Sequence, residues 1–434
     1  MKVTIRYLLV SVAFFLGIAV QCAPALTEYE ALLKSYGNVS SVAGLVGGGT
    51  NGVCDWLPAM EGAPATNVDL STPHTAMADR YGNIFIADKD AYAVRKVTPD
   101  GIIHTFAGTL VPGFGSNNVA TQCAMSTPNG LYVFPDGTTY IIDSGNQSIC
   151  VVDPISNRLT VVCVDTNMNG GRGLWVSGDR QTIYYGSMKK LMRWTSNGTI
   201  TNIVGGFTKI GNIAVDPRDP PGHIIVTDID DRRVFRVHDD GTKELFAGDG
   251  GKTNDLIDGV SATNISIYGP RGICFEPNGG CYVSTQDDGD LWYIDTQGII
   301  HRMINGSKTN LVPSGEGKPV TDPSVTTGEG RGVTLAPNGD LIITETDNGF
   351  VRKIPRVARC LSVDFGTEGG VASTWTSQYG YTNVVEFKTN LSDLAWEILH
   401  QSVAPSTSTM FSFDDTNTFT RQVGFYRIRR RPAF

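Results

Sequence analysis

Three arginines, a histidine and an asparagine occupy equivalent places along a repeating chain: His74, Asn129, Arg172, Arg271 and Arg331, with Gly211 in the sixth place. A second series follows them, Asp88, Asp143, Asp228 and Glu345, with Thr285 where a further acid is expected. Guanidinium groups are planar, permanently charged donors that grip carboxylate, sulfate or phosphate oxygens. The chemistry this set offers is therefore anion capture, with Asn129 and His74 adding hydrogen bonds. A structural reading stands beside it, in which repeated arginines pair with repeated carboxylates and brace the repeats. Asp88, Asp143 and Asp228 also suit capping of the loops that follow them. All nine residues form the candidate ligand-binding set. No nucleophile has a base nearby, no glycine motif cradles a phosphate, and the cysteines and histidines lack metal-site spacing. No catalytic residue, metal ligand or cofactor is assigned.

The elements that position these residues are legible as a repeat. Between Thr72 and Pro355 one pattern recurs six times: an apolar strand, a turn, a second strand ending in an acid, a third strand and another turn. The clearest copy runs from Thr72 to Gly108, broken at Tyr81-Gly82-Asn83 and Pro99-Asp100-Gly101. Others begin near Thr127, Asn169, Lys209, Gly269 and Glu329. Four-stranded repeats of roughly 40 to 50 residues predict an all-β, six-bladed β-propeller. The sixth copy stops at Ile354-Pro355, one strand short. Residues 38–44, upstream of the first copy, fit the missing strand and predict ring closure by the N-terminal segment. Antiparallel pairing then gathers the starts of the innermost strands and the ends of the second strands at one pore mouth.

Ile84-Phe85-Ile86-Ala87-Asp88, Val94-Arg95-Lys96-Val97, Pro99-Asp100-Gly101 and Phe106-Ala107-Gly108 resemble the NHL-repeat family. That resemblance implies a six-bladed propeller in a family that holds binding scaffolds and enzymes alike. The segment from Pro128 to Ser144 is similar to the gluconolactonase family of metal-dependent lactonases, in which the residue matching Asn129 is a metal ligand. The other ligand positions of that family are filled here by His74 and by Gly211, Arg271 or Arg331. Arginines at the pore oppose a cation. Lyases of related fold bind zinc through histidines, whereas His104, His223, His238 and His301 are expected on outer strands or opposite-face turns.

Connections 46–71, 109–126, 249–268 and 305–328 are long, and those around the third copy are short. A rim high on one side suits a ligand. Lys2 and Arg6 precede an apolar run ending before Cys22-Ala23-Pro24-Ala25, so residues 1–25 read as an export signal. Residues 36–359 read as the propeller and 360–434 as a small β-rich module with Trp375, Phe387, Trp396, Phe411, Phe413, Phe425 and Tyr426 as its core. The arginines at 427, 429, 430 and 431 read as solvated charge on a terminal strand.

The chain has 18% charged residues and a net charge of -8, which argues against a nucleic-acid surface. Hairpin pairing predicts disulfides Cys150–Cys163 and Cys274–Cys281, and equivalent loops suggest Cys54–Cys123, leaving Cys360 unpaired. The reading is a secreted, periplasmic or cell-surface monomer without a membrane span in the mature chain. It binds a protein or carbohydrate ligand, anionic in character, with a lactonase-like hydrolase or lyase at the pore mouth as the alternative.

Overall fold

The computed structural model describes residues 27–45, 56–168, 170–218, 223–251, 258–307, 314–346 and 349–357, and the strands between Cys360 and Pro432. The chain divides into two compact units, residues 38–355 and residues 1–37 with 356–434. Residues 1–25, the expected export signal, lie outside the described residues. No helix of the described residues is long and apolar enough to cross a membrane.

The first unit is a six-bladed propeller. Alternating apolar residues and glycine-bearing turns make each repeat an antiparallel meander, as in blade one: Pro73–Ala78, Ile84–Asp88, Ala93–Val97 and Ile103–Gly108. The innermost strands of blades one to six are Pro73–Ala78, Pro128–Val133, Arg172–Val176, Ile210–Val215, Pro270–Phe275 and Gly330–Leu335. Each packs on the next, and the sixth returns to the first. The sixth blade borrows its outer strand from the other end of the repeat region. Ser40–Ala43 pairs antiparallel with Phe350–Ile354, Ser40 opposite Lys353 and Ala43 opposite Val351. This is the predicted closure. It leaves the ring without an open end.

Apolar side chains on the two faces of each sheet interlock with the neighbouring blades. Phe85, Ala87 and Val94 of blade one pack with Leu131, Ile141 and Cys150 of blade two. Ile142, Ile149 and Cys163 pack with Leu174, Val176 and Tyr185 of blade three. These clusters show why two predicted disulfides do not form. A bulge between Val161 and Cys163 places Cys150 opposite Val161 and Cys163 opposite Ile149, so the two thiols enter cores on opposite sides of the sheet. Cys274 opposes Tyr282, and Cys281 opposes Phe275, one step out of register and so on opposite faces. All four thiols are free, as is Cys123, and its expected partner Cys54 lies outside the described residues.

The long connections do not simply stand around the pore. Among the described residues, each has a stretch that runs along the outer strand of the blade that follows it. Gly62 and Ala65 donate to Ile103 and Gly101 at 2.9 and 2.8 Å. Asn118–Val119 pairs with Arg158 and Leu159, and Val260–Ser261 pairs with Ile300 and Ile299. Gly317 donates to Val39 at 2.9 Å, beside the closing strand. Blades three and four follow short connections and keep their outer strands, Ile200–Val204 and Lys243–Ala247, uncovered.

In the second unit, Thr27 caps the helix Glu28–Ser35 through a reciprocal bond with Glu30. The guanidinium of Arg356 lies 4.2 Å from the Tyr36 ring centre and donates to Ser35 Oγ. Its other strands form two three-stranded antiparallel sheets, one with Val371–Thr376 at its centre and one with Tyr381–Lys388. Of the proposed aromatic core only Phe387 has a described side chain, and it is buried.

Candidate functional site

Every innermost strand begins with a register break. Pairing passes from Pro73 to Ala76, Pro128 to Gly130, Arg172 to Leu174, Ile210 to Ile213, Pro270 to Gly272 and Gly330 to Gly332. The skipped residues include His74, Asn129, Gly211, Arg271 and Arg331. Bulges of this kind re-aim a side chain out of the ladder. Here they turn one position of blades one, two, four, five and six toward the axis, while Arg172 directly precedes the break in blade three, and a narrow pocket partly open to solvent is lined by His74, Asn129, Arg172, Gly211, Arg271 and Arg331, among others. Gly211 is needed for the backbones to meet, since a Cβ there would lie 2.8 Å from Arg271 O.

The cavity is cationic. Arg271 is 4% exposed, and its Nη1 donates to Gln286 Oε1. Arg331 donates from Nε to Glu329 Oε1 at 2.8 Å and from Nη1 to His74 Nε2 at 2.9 Å. Accepting that bond fixes His74 as a neutral ring with its proton on Nδ1. Burial, then the charges of Arg271 and Arg331, hold its pKa well below the usual imidazole value. Arg172 buries Nε and Nη1 without a hydrogen-bond partner, and burial with the nearby Arg331 charge lowers its pKa. Asn129 is 6% exposed; its Nδ2 donates to Gly171 O at 3.1 Å while Oδ1 is left unpaired. Lys209, whose pKa is lowered by burial and then by Arg172, lies near these arginines outside the lining, as does Asp230.

The acids of the candidate set lie elsewhere. Each sits directly across from the start of an innermost strand, as Asp88 does from Pro73 and Asp143 from Pro128. That position puts each carboxylate beside the incoming chain, so it holds the segment before the strand, where the loop after it was expected. Asp88 accepts from Thr72 N at 3.0 Å, Asp143 from Ser126 N at 2.7 Å, Asp228 from Lys209 N at 2.9 Å and Glu345 from Gly328 N at 2.7 Å. Asp143 also takes a bond from Asn146 of the following turn. Nor do these acids pair with the pore arginines: Asp88 meets Arg95 and Glu345 meets Arg352, both fully buried on third strands. Burial raises the carboxyl of Asp88, and that of Asp143 to about 7.

Sequence reasoning missed Lys209, Glu329 and Gln286. Lys209 directly precedes the fourth innermost strand and Glu329 the sixth, signals that were available. Gln286 is placed only by the turn after Thr285. Among the described residues, no group of three or more His, Cys, Asp or Glu gathers to hold a metal.

The fold and this axial site define a six-bladed β-propeller with a cationic mouth. No family model matches the chain. A gluconolactonase of Zymomonas mobilis is 32% identical over 108 residues, 22% of this chain, which spans only 30% of that relative's length. A protein of unknown function from Bacteroides thetaiotaomicron superposes with a TM-score of 0.58 at 16% identity, covering 73% of this chain and 75% of the other. An auxiliary nutrient binding protein of the same organism gives a TM-score of 0.53 at 13% identity, covering 73% and 75%. These likenesses establish the fold.

Proposed function

We propose that the chain is a secreted NHL-type propeller that binds an anionic ligand, such as a carboxylated or sulfated sugar or an acidic protein segment, at the pore mouth. The observation that carries the reading is the charge imbalance there. Arg172, Arg271 and Arg331 share one cavity, and Arg172 buries Nε and Nη1 there without a hydrogen-bond partner. Unsatisfied buried donors cost about 1–3 kcal/mol each, and ligand oxygens would recover that energy. The bracing alternative loses support because the repeated acids hold backbone and third-strand arginines. An auxiliary nutrient binding protein shares the fold, which is compatible with a binding role.

The lactonase-like reading draws on the local similarity to a gluconolactonase. Its catalytic cation would have to enter a mouth lined by three guanidiniums, with neutral His74 and Gly211 where ligands are needed.

A melting screen against acidic sugars and acidic peptides tests the proposal. At a hundredfold excess over Kd, a ligand should add about 2.7 kcal/mol of stability. Arg172→Ala, Arg271→Ala and Arg331→Ala should each abolish that shift. Variants that respond like the parent would refute the clamp, whereas a divalent cation surviving dialysis and a chelator-sensitive melt would favour the enzyme.

A further inference from the structure

At the opposite end of blade four two imidazoles meet outside the axial pocket. His223 directly precedes the second strand, Ile224–Asp228, and His238 directly follows the third, Arg233–Val237; Ile224 opposes Val237, so the register sets the two histidines side by side. His223 Nε2 stands 3.0 Å from His238 Nδ1, with ring centres 4.5 Å apart and planes at 78°. On its other nitrogen, His238 Nε2 lies 3.2 Å from Glu244 Oε2 of the outer strand.

We propose that His223 and His238 form a binding site for a borderline divalent cation, Zn2+, Cu2+ or Ni2+, with Glu244 as the carboxylate that orients His238. The tautomers carry the argument. Glu244 accepts a proton-bearing Nε2, which leaves His238 Nδ1 as a bare lone pair directed at His223. A carboxylate behind a ligating imidazole does the same at established metal centres, fixing the ring and raising its basicity. His223 Nε2 then supplies the proton between the rings, and a cation takes its place when His223 changes to the tautomer that carries its proton on Nδ1.

Two nitrogens bound at ~2.05 Å to one tetrahedral ion stand about 3.3 Å apart, so seating a cation requires the rings to part by a few tenths of an ångström and turn toward a shared point. Imidazole nitrogens favour the later first-row divalent ions over Mg2+ or Ca2+. His238 is 31% exposed and Glu244 56%, so water can fill the remaining coordination positions. Asp240, two residues on from His238, adds a second negative charge near it beside Glu244. Arg236 stands 3.9 Å from Glu244 and 3.8 Å from Asp216, on the carboxylate side of the pair.

Calorimetric titration of the chelator-stripped full chain with Zn2+, together with its melting temperature, tests the site. One equivalent should bind at neutral pH, and binding should be lost on acidification as protons compete for the ring nitrogens. His223→Ala and His238→Ala should each lose it while melting like the parent without metal, and Glu244→Gln should weaken it about 10- to 100-fold. Arg331→Ala should bind Zn2+ as the parent does, since the pore is a separate site. Saturation by both alanine variants equal to the parent's, or no saturable binding by the parent at millimolar Zn2+, would overturn the assignment.

Discussion

Asp143 shows how one buried carboxyl couples the propeller to pH. It is 2% exposed, holds Ser126 N and Asn146 Nδ2, and is raised by burial to about 7. Asp290 is likewise raised, to about 6, by burial and then by Asp288. In the unfolded chain both carboxyls lose their protons near pH 4. Between that pH and the native values the unfolded state therefore binds fewer protons, and stability falls as pH rises. Each unit of upward displacement costs ~1.4 kcal/mol once pH exceeds both values. Asp143→Asn keeps the shape of the protonated form and cannot ionise. Its melting temperature should gain on the parent's as pH rises from mildly acidic to neutral. Parallel curves for the two proteins across that range would refute a raised Asp143. At this scale the sequence was informative about residue type and equivalence: His74, Asn129, Arg172, Arg271 and Arg331 do share a cavity. It was uninformative about direction, because the bulges that aim His74, Asn129, Arg271 and Arg331 inward and the offset that separates Cys150 from Cys163 are single-residue slips in otherwise regular strands.

Strand and turn periodicity predicted the blades well, since alternation and glycine turns are local properties. The destination of the long connections was not legible, because it depends on hydrogen bonds to residues distant in the chain, such as Ala65 to Gly101, Ala120 to Asn157 and Gly317 to Val39. In retrospect the segments Ala65-Thr66-Asn67, Ala120-Thr121-Gln122 and Ala262-Thr263-Asn264 mark it, as each forms the single 3-10 turn that follows a covering segment. Edge strands invite pairing with other chains, and covering them is a common remedy. Four blades are covered this way. Blades three and four are not, and blade four carries Lys243 and Glu244 on its exposed strand, charges that disfavour intermolecular pairing. Amides of Ile200–Val204 and Lys243–Ala247 should thus exchange with solvent deuterium well before those of Ile103–Gly108 and Ile299–Gly306. Equal protection in all four strands would mean that the covering segments contribute nothing to edge stability.

For the whole molecule, the decisive junction is the seam between blades six and one. Ser40–Ala43 completes the sixth sheet, Thr346 Oγ1 donates to Pro73 O at 2.6 Å, and Thr334 Oγ1 donates to Ala76 O at 2.6 Å. The Arg331–His74 bond also crosses this seam, so the placement of both side chains in the mouth depends on the ring being shut. Ala43 is fully buried in the cluster with Ala76, Ile86, Ile342 and Val351. Ala43→Glu would place a charge in that core, where no partner offsets the desolvation, and should cost several kcal/mol. If closure organises the site, this variant should also lose the melting response to anionic ligands, although it lies outside the cavity lining. Ser40→Glu, on the same strand but half exposed, should retain both stability and response. An Ala43→Glu protein that melts and responds like the parent would show that the ring holds, and the mouth assembles, without its N-terminal strand.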